Sequence, residues 1–220
     1  QGDGSRLVDY LVQQIRHNSG EILASKEVVS LKEDNGRIVK AICSDGTEYE
    51  ADIFVSNTHP AKTCSLVQDS ALMKNVFRRR MMSQPNTSGM FTLHLQLRKG
   101  SLPYFNHNKL VFKENNCWDI AVGRDLCVKG IMMSARVPED GDNVVCVDIL
   151  TPMKWEVVAE FEGTKPMHRP LAYKNMKASV ARECLELAEL AIPGLSSIVL
   201  KSWSSSPLTY RDYNHTPEGS

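Results

Sequence analysis

The chain predicts an α+β fold in which hairpin-linked antiparallel strands pack against helices. Three observations predict it. The dipeptides Asn35-Gly36 and Asp45-Gly46 punctuate the apolar-rich runs Glu27–Glu33, Arg37–Ser44 and Thr47–Ser56. Both dipeptides tolerate the positive φ of a type I′ turn, so three strands in a meander follow. Met90–Arg98 sets Phe91, Leu93, Leu95 and Leu97 against Thr92, His94, Gln96 and Arg98, the period of a strand with one buried face. Tyr173–Ala191 repeats Tyr173, Met176, Val180, Cys184, Leu187 and Ala191 at helical steps, and Pro193-Gly194 ends the pattern.

The other elements fall between these. Leu7, Leu11 and Ile15, widened by Val8 and Val12, set an amphipathic helix before the meander, with Gly20 as its stop. After the break at Asn57-Thr58-His59-Pro60, a helix is expected from Pro60 through Leu66, and another over Ala71–Arg80. Shorter strands are expected at Lys109–Lys113, Gly130–Val137 and Asn143–Thr151. A last strand, Ile198–Trp203, precedes three serines and a loop at Pro207.

Composition narrows the function classes. The 220 residues carry 26 basic and 26 acidic side chains, a formal net charge of zero. That excludes nucleic acid as a default partner, because phosphate binding needs a basic surplus. Arg78-Arg79-Arg80 is the one dense basic run and reads as a solvated helix end, with a membrane-surface or anion contact as the alternative. Six cysteines contain no Cys-x-x-Cys pair and read as reduced, mostly buried thiols of a cytosolic protein. The six histidines lack metal-ligand spacing, so no metal site is expected. No apolar run approaches the ~18 residues of a membrane span, and there is no signal segment at the start. A chain opening at Gln1 without Met reads as an internal piece of a longer protein.

The motifs that carry family information are ordered along the first fifty-odd residues. They are Gly2 and Gly4 before a helix, Gly20-Glu21-Ile22, Val28-Val29-Ser30-Leu31, Gly36-Arg37, Asp45-Gly46, and Ala51-Asp52-Ile53-Phe54-Val55-Ser56-Asn57. At the far end stand Pro207-Leu208-Thr209-Tyr210-Arg211-Asp212-Tyr213 and Thr216-Pro217-Glu218-Gly219-Ser220. In this order and spacing the chain resembles flavin-dependent oxidoreductases of the phytoene desaturase and retinol saturase type, within the wider amine-oxidase-like group. The resemblance covers the whole chain but only the middle of the family.

That resemblance implies three parts. Residues 1–58 correspond to a helix-plus-meander segment of the flavin domain, 59–206 to the substrate domain with its helix-flanked antiparallel sheet, and 207–220 to the return toward the flavin domain. It implies flavin adenine dinucleotide in the full-length protein, with none expected on this piece. The substrate would be an isoprenoid, carotenoid-like or other apolar small molecule, and the setting cytoplasmic with peripheral membrane contact as an option. Val28 corresponds to the strand valine that meets the flavin's adenine; a strand's own N–H and C=O can serve such a base. Its alternative is a plain sheet valine. Ser56 and Asn57 end the strand that nears the flavin, and they equally suit a turn and helix cap. Gly2-Asp3-Gly4 lacks a preceding strand and a third glycine, so it reads as a loop feeding a helix and not as a dinucleotide fingerprint.

No nucleophile–base constellation is present. A flavin enzyme needs none, since the cofactor performs the hydride step and the protein supplies position and dielectric. An apolar substrate needs a groove of aromatic and aliphatic side chains. Met90, Phe91, Tyr104, Phe105, Phe112 and Trp155 suit one, as each also suits core or surface. Phe91, with Tyr210 and Tyr213 of the family-like return segment, are the substrate-lining candidates. Two alternatives stay open: a non-enzymatic module binding an apolar ligand or protein partner, and a relative of the amine or protoporphyrinogen oxidases.

Overall fold

A computed structural model describes residues 4–67, 70–71, 73–138 and 142–220. The fold is α+β, with an antiparallel three-stranded sheet and an antiparallel five-stranded one. The chain divides into two compact units, Gln1–Gln84 and Pro85–Ser220.

In the first unit, helix α1 (Gly4–His17) forms over the predicted amphipathic stretch, but Leu7, Val8, Leu11 and Ile15 are all exposed. Ser19, at φ 61°, takes the left-handed position after the helix. Gly20 serves differently: its N–H donates to Ile15 O at 2.8 Å, and a Cβ there would stand 2.7 Å from Ile15 Cγ2. Gly2 and Asp3 lie outside the described residues.

The meander forms as β1 (Val28–Asp34), β2 (Arg37–Cys43) and β3 (Glu48–Glu50), in that spatial order. Its two turns differ. Asn35 and Gly36 both have positive φ, 47° and 79°, as a type I′ turn requires. At the second, only Gly46 is left-handed, and Cys43 N–H donates to Thr47 O across a three-residue loop, so this is not a two-residue turn. The third strand is also shorter than the pattern suggests. Lys40 pairs with Glu48 and Glu50 at 2.7 and 3.0 Å, and beyond them residues 51–57 have no ladder partner among the described residues. That segment keeps the alternation: Phe54 turns inward while Ile53 and Val55 are exposed.

Helix α2 (Pro60–Leu66) begins at its proline, whose missing N–H costs nothing at a first helical position. Helix α3 (Asn75–Met82) starts later than expected. The Glu33 carboxylate takes hydrogen bonds from Ser70 Oγ and Ala71 N–H, and Ser70 Oγ accepts from Met73 N–H at 2.8 Å. Backbone donors spent on side chains delay the helix. Leu72, within the predicted span, lies outside the described residues. Arg79 and Arg80 are solvated as expected, whereas Arg78 donates to Val67 O at 2.6 Å and Asn75 Oδ1 at 3.0 Å.

The second unit is built on β4 (Gly89–Leu97), β5 (Lys109–Phe112), β6 (Gly130–Ala135) and β7 (Cys146–Met153). Helix α4 (Leu171–Ala191), short α5 (Leu195–Ile198), strand β8 (Val199–Ser205) and helix α6 (Pro207–Asn214) follow. The sheet order is β5-β6-β7-β4-β8. Phe91, Leu93, Leu95 and Leu97 join Val147, Ile149, Ile131 and Met133 on one face. They form a single core with Met176, Val180, Cys184 and Leu187 of α4.

The expected loop at Pro207 is a helix. Ser206 and Thr209 form a reciprocal capping box around Pro207, so the start signal is present in the sequence. All six cysteines are free, but only Cys43, Cys64 and Cys184 are buried, and Cys117 is exposed. Burial pushes the Cys184 thiol up to about 12.

The β4 register sets a stability contrast. Leu95 is fully buried and Gln96 exposed on the opposite face. Leu95→Asp should cost about 4 kcal/mol or more, as expected of an unpaired charge in an apolar core, and Gln96→Asp within about 1 kcal/mol. Chemical denaturation of both variants checks this; equal midpoints would reject the register.

Candidate functional site

The first unit contains a cavity of about 500 Å³ between the meander and the chain leading into α2. Bulges in β1 bring Val28 and Leu31 to its wall, and Ile38, Ala41, Phe54 and Leu66 add apolar surface. Ser56, Asn57 and Thr58 line it along the segment before α2. Three hydroxyls there bond to one another: Ser56 Oγ lies 2.7 Å from Thr63 Oγ1 and 3.2 Å from Thr58 Oγ1, with 2.9 Å between the threonines. This triangle ties segment 56–58 to the first turn of α2.

Val28, Ser56 and Asn57 therefore share one cavity. The cap of α2 falls to His59, whose Nδ1 accepts from Ala61 N–H at 3.2 Å, so Ser56 and Asn57 are not the capping pair. Val29 alternates away and is exposed. Apolar walls with hydroxyls alongside suit a flat, partly apolar group that hydrogen-bonds at its edge.

In the second unit, the face of the sheet opposite the core carries a polar row. His94 Nδ1 lies 2.6 Å from Asp148 Oδ1, and the two residues are direct cross-strand partners. Arg136 grips the same carboxylate through Nε at 2.8 Å and Nη2 at 3.1 Å. Trp203 on β8 stacks on His94 with ring centroids 5.6 Å apart and planes 21° from parallel. One step along β4, Thr92 Oγ1 meets Tyr210 Oη at 2.6 Å. By register, Leu110, Met132 and Leu150 continue this face.

The acidity of Asp148 is a balance. Burial pushes its carboxyl up, but hydrogen bonds from Arg136 and then His94 outweigh that and hold it below the usual carboxylate range. With a carboxylate partner at Nδ1, that nitrogen donates to Asp148 and Nε2 is the ring position left for another group.

The three substrate-lining candidates are not brought together. Tyr210 reaches the polar face through Thr92. Tyr213 is exposed on α6 and lines a groove beside α4. Phe91 is completely buried in the core and lines none of the cavities described here. Tyr104, Phe105 and Trp155 pack half-buried against that core, and Trp155 lies under the Arg211 guanidinium at 5.2 Å. The His94–Asp148 pair escapes a reading of the sequence because it depends on the register between β4 and β7. Only the polar phase of His94 within the alternating strand hints at it.

No protein-family model matches the chain, and no curated protein matches it. Among solved structures, the PF1083 protein of Pyrococcus furiosus aligns with a TM-score of 0.51 at 16% identity, over 90% of this chain and 41% of that one. An oxidoreductase from Methanosarcina mazei aligns at 16% identity with a TM-score of 0.47, over the same shares. The chain spans about two fifths of the length of these structures. The Pyrococcus likeness is one of fold. No helix among the described residues is long and apolar enough to cross a membrane.

The Asp148 network predicts acid behaviour. A carboxyl held low in the folded state contributes stability that is present above its unfolded value of about 3.9 and is lost as pH falls through the folded value. Arg136→Met removes a charged donor and raises the folded value toward or past the unfolded one. Tm near neutral pH should therefore drop while the acid-side fall becomes smaller, the variant's profile converging on that of the unaltered protein at low pH. Thermal melts between pH 6 and pH 2.5 check this; superimposable profiles would show that Arg136 does not hold the carboxylate.

Proposed function

We propose that this chain is the substrate-domain portion, with an adjoining flavin-domain segment, of an oxidoreductase that uses flavin adenine dinucleotide. The type is that of the phytoene desaturases and retinol saturases, acting on an isoprenoid or similar apolar molecule. The observation that carries the reading is the convergence of Val28, Ser56 and Asn57 on one cavity, since these are the positions the motif resemblance assigns to the cofactor.

The residues fit one end of such a cofactor. Val28 and Leu31 offer an apolar wall to a planar base, and the Ser56, Thr58 and Thr63 hydroxyls offer donors and acceptors beside it. The exposed apolar side chains of α1 and of Ile53 and Val55 are also what a larger enclosing domain would cover. When bound, flavin supplies the hydride chemistry. This chain's own share is to position the substrate. Leu110, Met132 and Leu150 give the open sheet face an apolar stretch, while Thr92–Tyr210 and His94–Asp148 place a few polar groups beside it. His94, oriented by Asp148, keeps Nε2 for a proton at the substrate.

Two measurements follow. The 220 residues contain no Gly-x-Gly-x-x-Gly run to form the strand–turn–helix cradle that a pyrophosphate requires. Purified 1–220 should be colourless after incubation with the cofactor and gel filtration; a yellow protein with stoichiometric flavin would overturn this division of labour. In the full-length protein, Val28→Lys should lower the flavin-to-protein ratio with near-normal circular dichroism. Val29→Lys, on the other side of the strand, should leave the ratio unchanged. Flavin retained in Val28→Lys would return Val28 to an ordinary sheet valine. A full-length protein that never takes up flavin would favour a non-enzymatic module for an apolar ligand.

A further inference from the structure

A groove of about 590 Å³ runs in the second unit between α4 and the edge strand β8, with Thr209 and Tyr213 of α6 also lining it. It lies on the α4 side of the sheet, shares Trp203 with the polar face as a border, and owes nothing to the flavin reading. Its walls include Leu93, Tyr173, Ala178, Ala181 and Trp203, and Met167 and Tyr213 stand exposed along it. Its charged lining is entirely cationic: Arg169, Lys174 and Lys177, with no carboxylate among the lining residues.

The cations are not equivalent. Arg169 is buried and satisfied, pairing with Asp212 and donating to Thr164 Oγ1 at 2.9 Å. Asp212 is shared with Arg211, which also pairs with Glu162 at 2.6 Å. Lys177 has no carboxylate within ion-pair distance among the described residues. Its ammonium donates to the Ser204 carbonyl and lies 5.5 Å from the Tyr173 ring centre, half-buried. Burial, with Arg169 nearby, holds Lys177 below the ordinary lysine range. A half-buried ammonium facing an apolar groove without a counter-ion is stabilised by any anion that brings its own apolar body.

We propose that this groove binds a long-chain carboxylate, with the head group on Lys177 and the chain along Leu93, Ala178, Ala181 and Trp203. The single ammonium fixes the head, and the apolar wall selects an extended tail over a small anion. Lys177 serves here as a binding residue.

The test is calorimetric titration of the purified 220-residue protein with oleate, below its micelle concentration. Oleate should bind, and Lys177→Met should weaken it about tenfold or more, as loss of a partly buried ion-pair partner does, while Lys177→Arg stays within a few-fold. Lys99→Met, which removes an exposed charge elsewhere, should change nothing. Oleyl alcohol should bind the unaltered protein as weakly as oleate binds Lys177→Met, and acetate should give no heat. Ala178→Trp, a change on the exposed surface of α4, should block oleate and keeps the test decisive if Lys177→Met fails to fold. No oleate binding to the unaltered protein, equal affinity in Lys177→Met, or binding of acetate as tight as oleate would each overturn the proposal. Because no flavin enters the experiment, its failure leaves the redox reading untouched, and the reverse holds as well.

Discussion

The second unit depends on the alternation of β4. This strand is hydrogen-bonded on both sides, to β7 and to β8, so its register cannot shift without breaking two ladders at once. Period two then assigns every side chain to a face. Phe91, Leu93, Leu95 and Leu97 seal the core beneath α4, and Thr92 and His94 are delivered to the other side. A slip of one residue would bury His94 and expose the leucines. The same constraint that builds the core thus places the polar row opposite Asp148 and Trp203, and stability and site geometry are set by one choice of register.

The C-terminal segment is fastened by buried polar contacts as well as apolar ones. Ser206 caps α6 and also meets Tyr173 Oη at 2.7 Å, so one side chain joins the helix start to α4. Leu208 inserts into the core one residue past the cap proline. Arg169 is held between Asp212 and the Tyr173 ring, 5.0 Å from its centre. Removing one partner of such a pair leaves the other charge buried and unpaired, which costs more than the pair contributes when intact. This network holds α6 where Tyr210 reaches Thr92 and Tyr213 flanks the groove.

Much of this architecture is legible in the sequence wherever one periodicity rules a segment. The alternation of 90–98 and the helical steps of 173–191 locate β4 and α4 to within two residues, and Pro60 marks the first residue of α2. Asn35-Gly36 gives its turn because both positions adopt positive φ, whereas Asp45-Gly46 misleads on turn type because the aspartate does not. The errors arise where side chains take over backbone donors. Glu33 and Ser70 shift the start of α3, and the Ser206–Thr209 box makes a helix of a stretch whose serines and proline suggest a loop. The candidate sites divide along the same line. Val28, Ser56 and Asn57 are drawn from an ordered motif and lie together, whereas Phe91 is drawn from residue type alone and proves to be core.

What the two proposed surfaces would recognise follows from where charge is satisfied. On the sheet face, Asp148 receives two Arg136 contacts and one from His94, so its charge is spent within the protein and the face presents oriented but nearly neutral groups. That suits an apolar substrate, which would lose affinity to a bare charge stripped of water. Along α4 the situation is reversed. Arg169 is compensated, but among the described residues Lys177 is compensated only by a carbonyl dipole and an aromatic ring, neither of which carries a full negative charge. A site of that kind would discriminate by charge where the sheet face would discriminate by shape. On the readings proposed above, the two surfaces would take chemically different ligands with Trp203 as their shared border, since β8 turns its ring toward His94 while its neighbour Ser204 offers its carbonyl to Lys177.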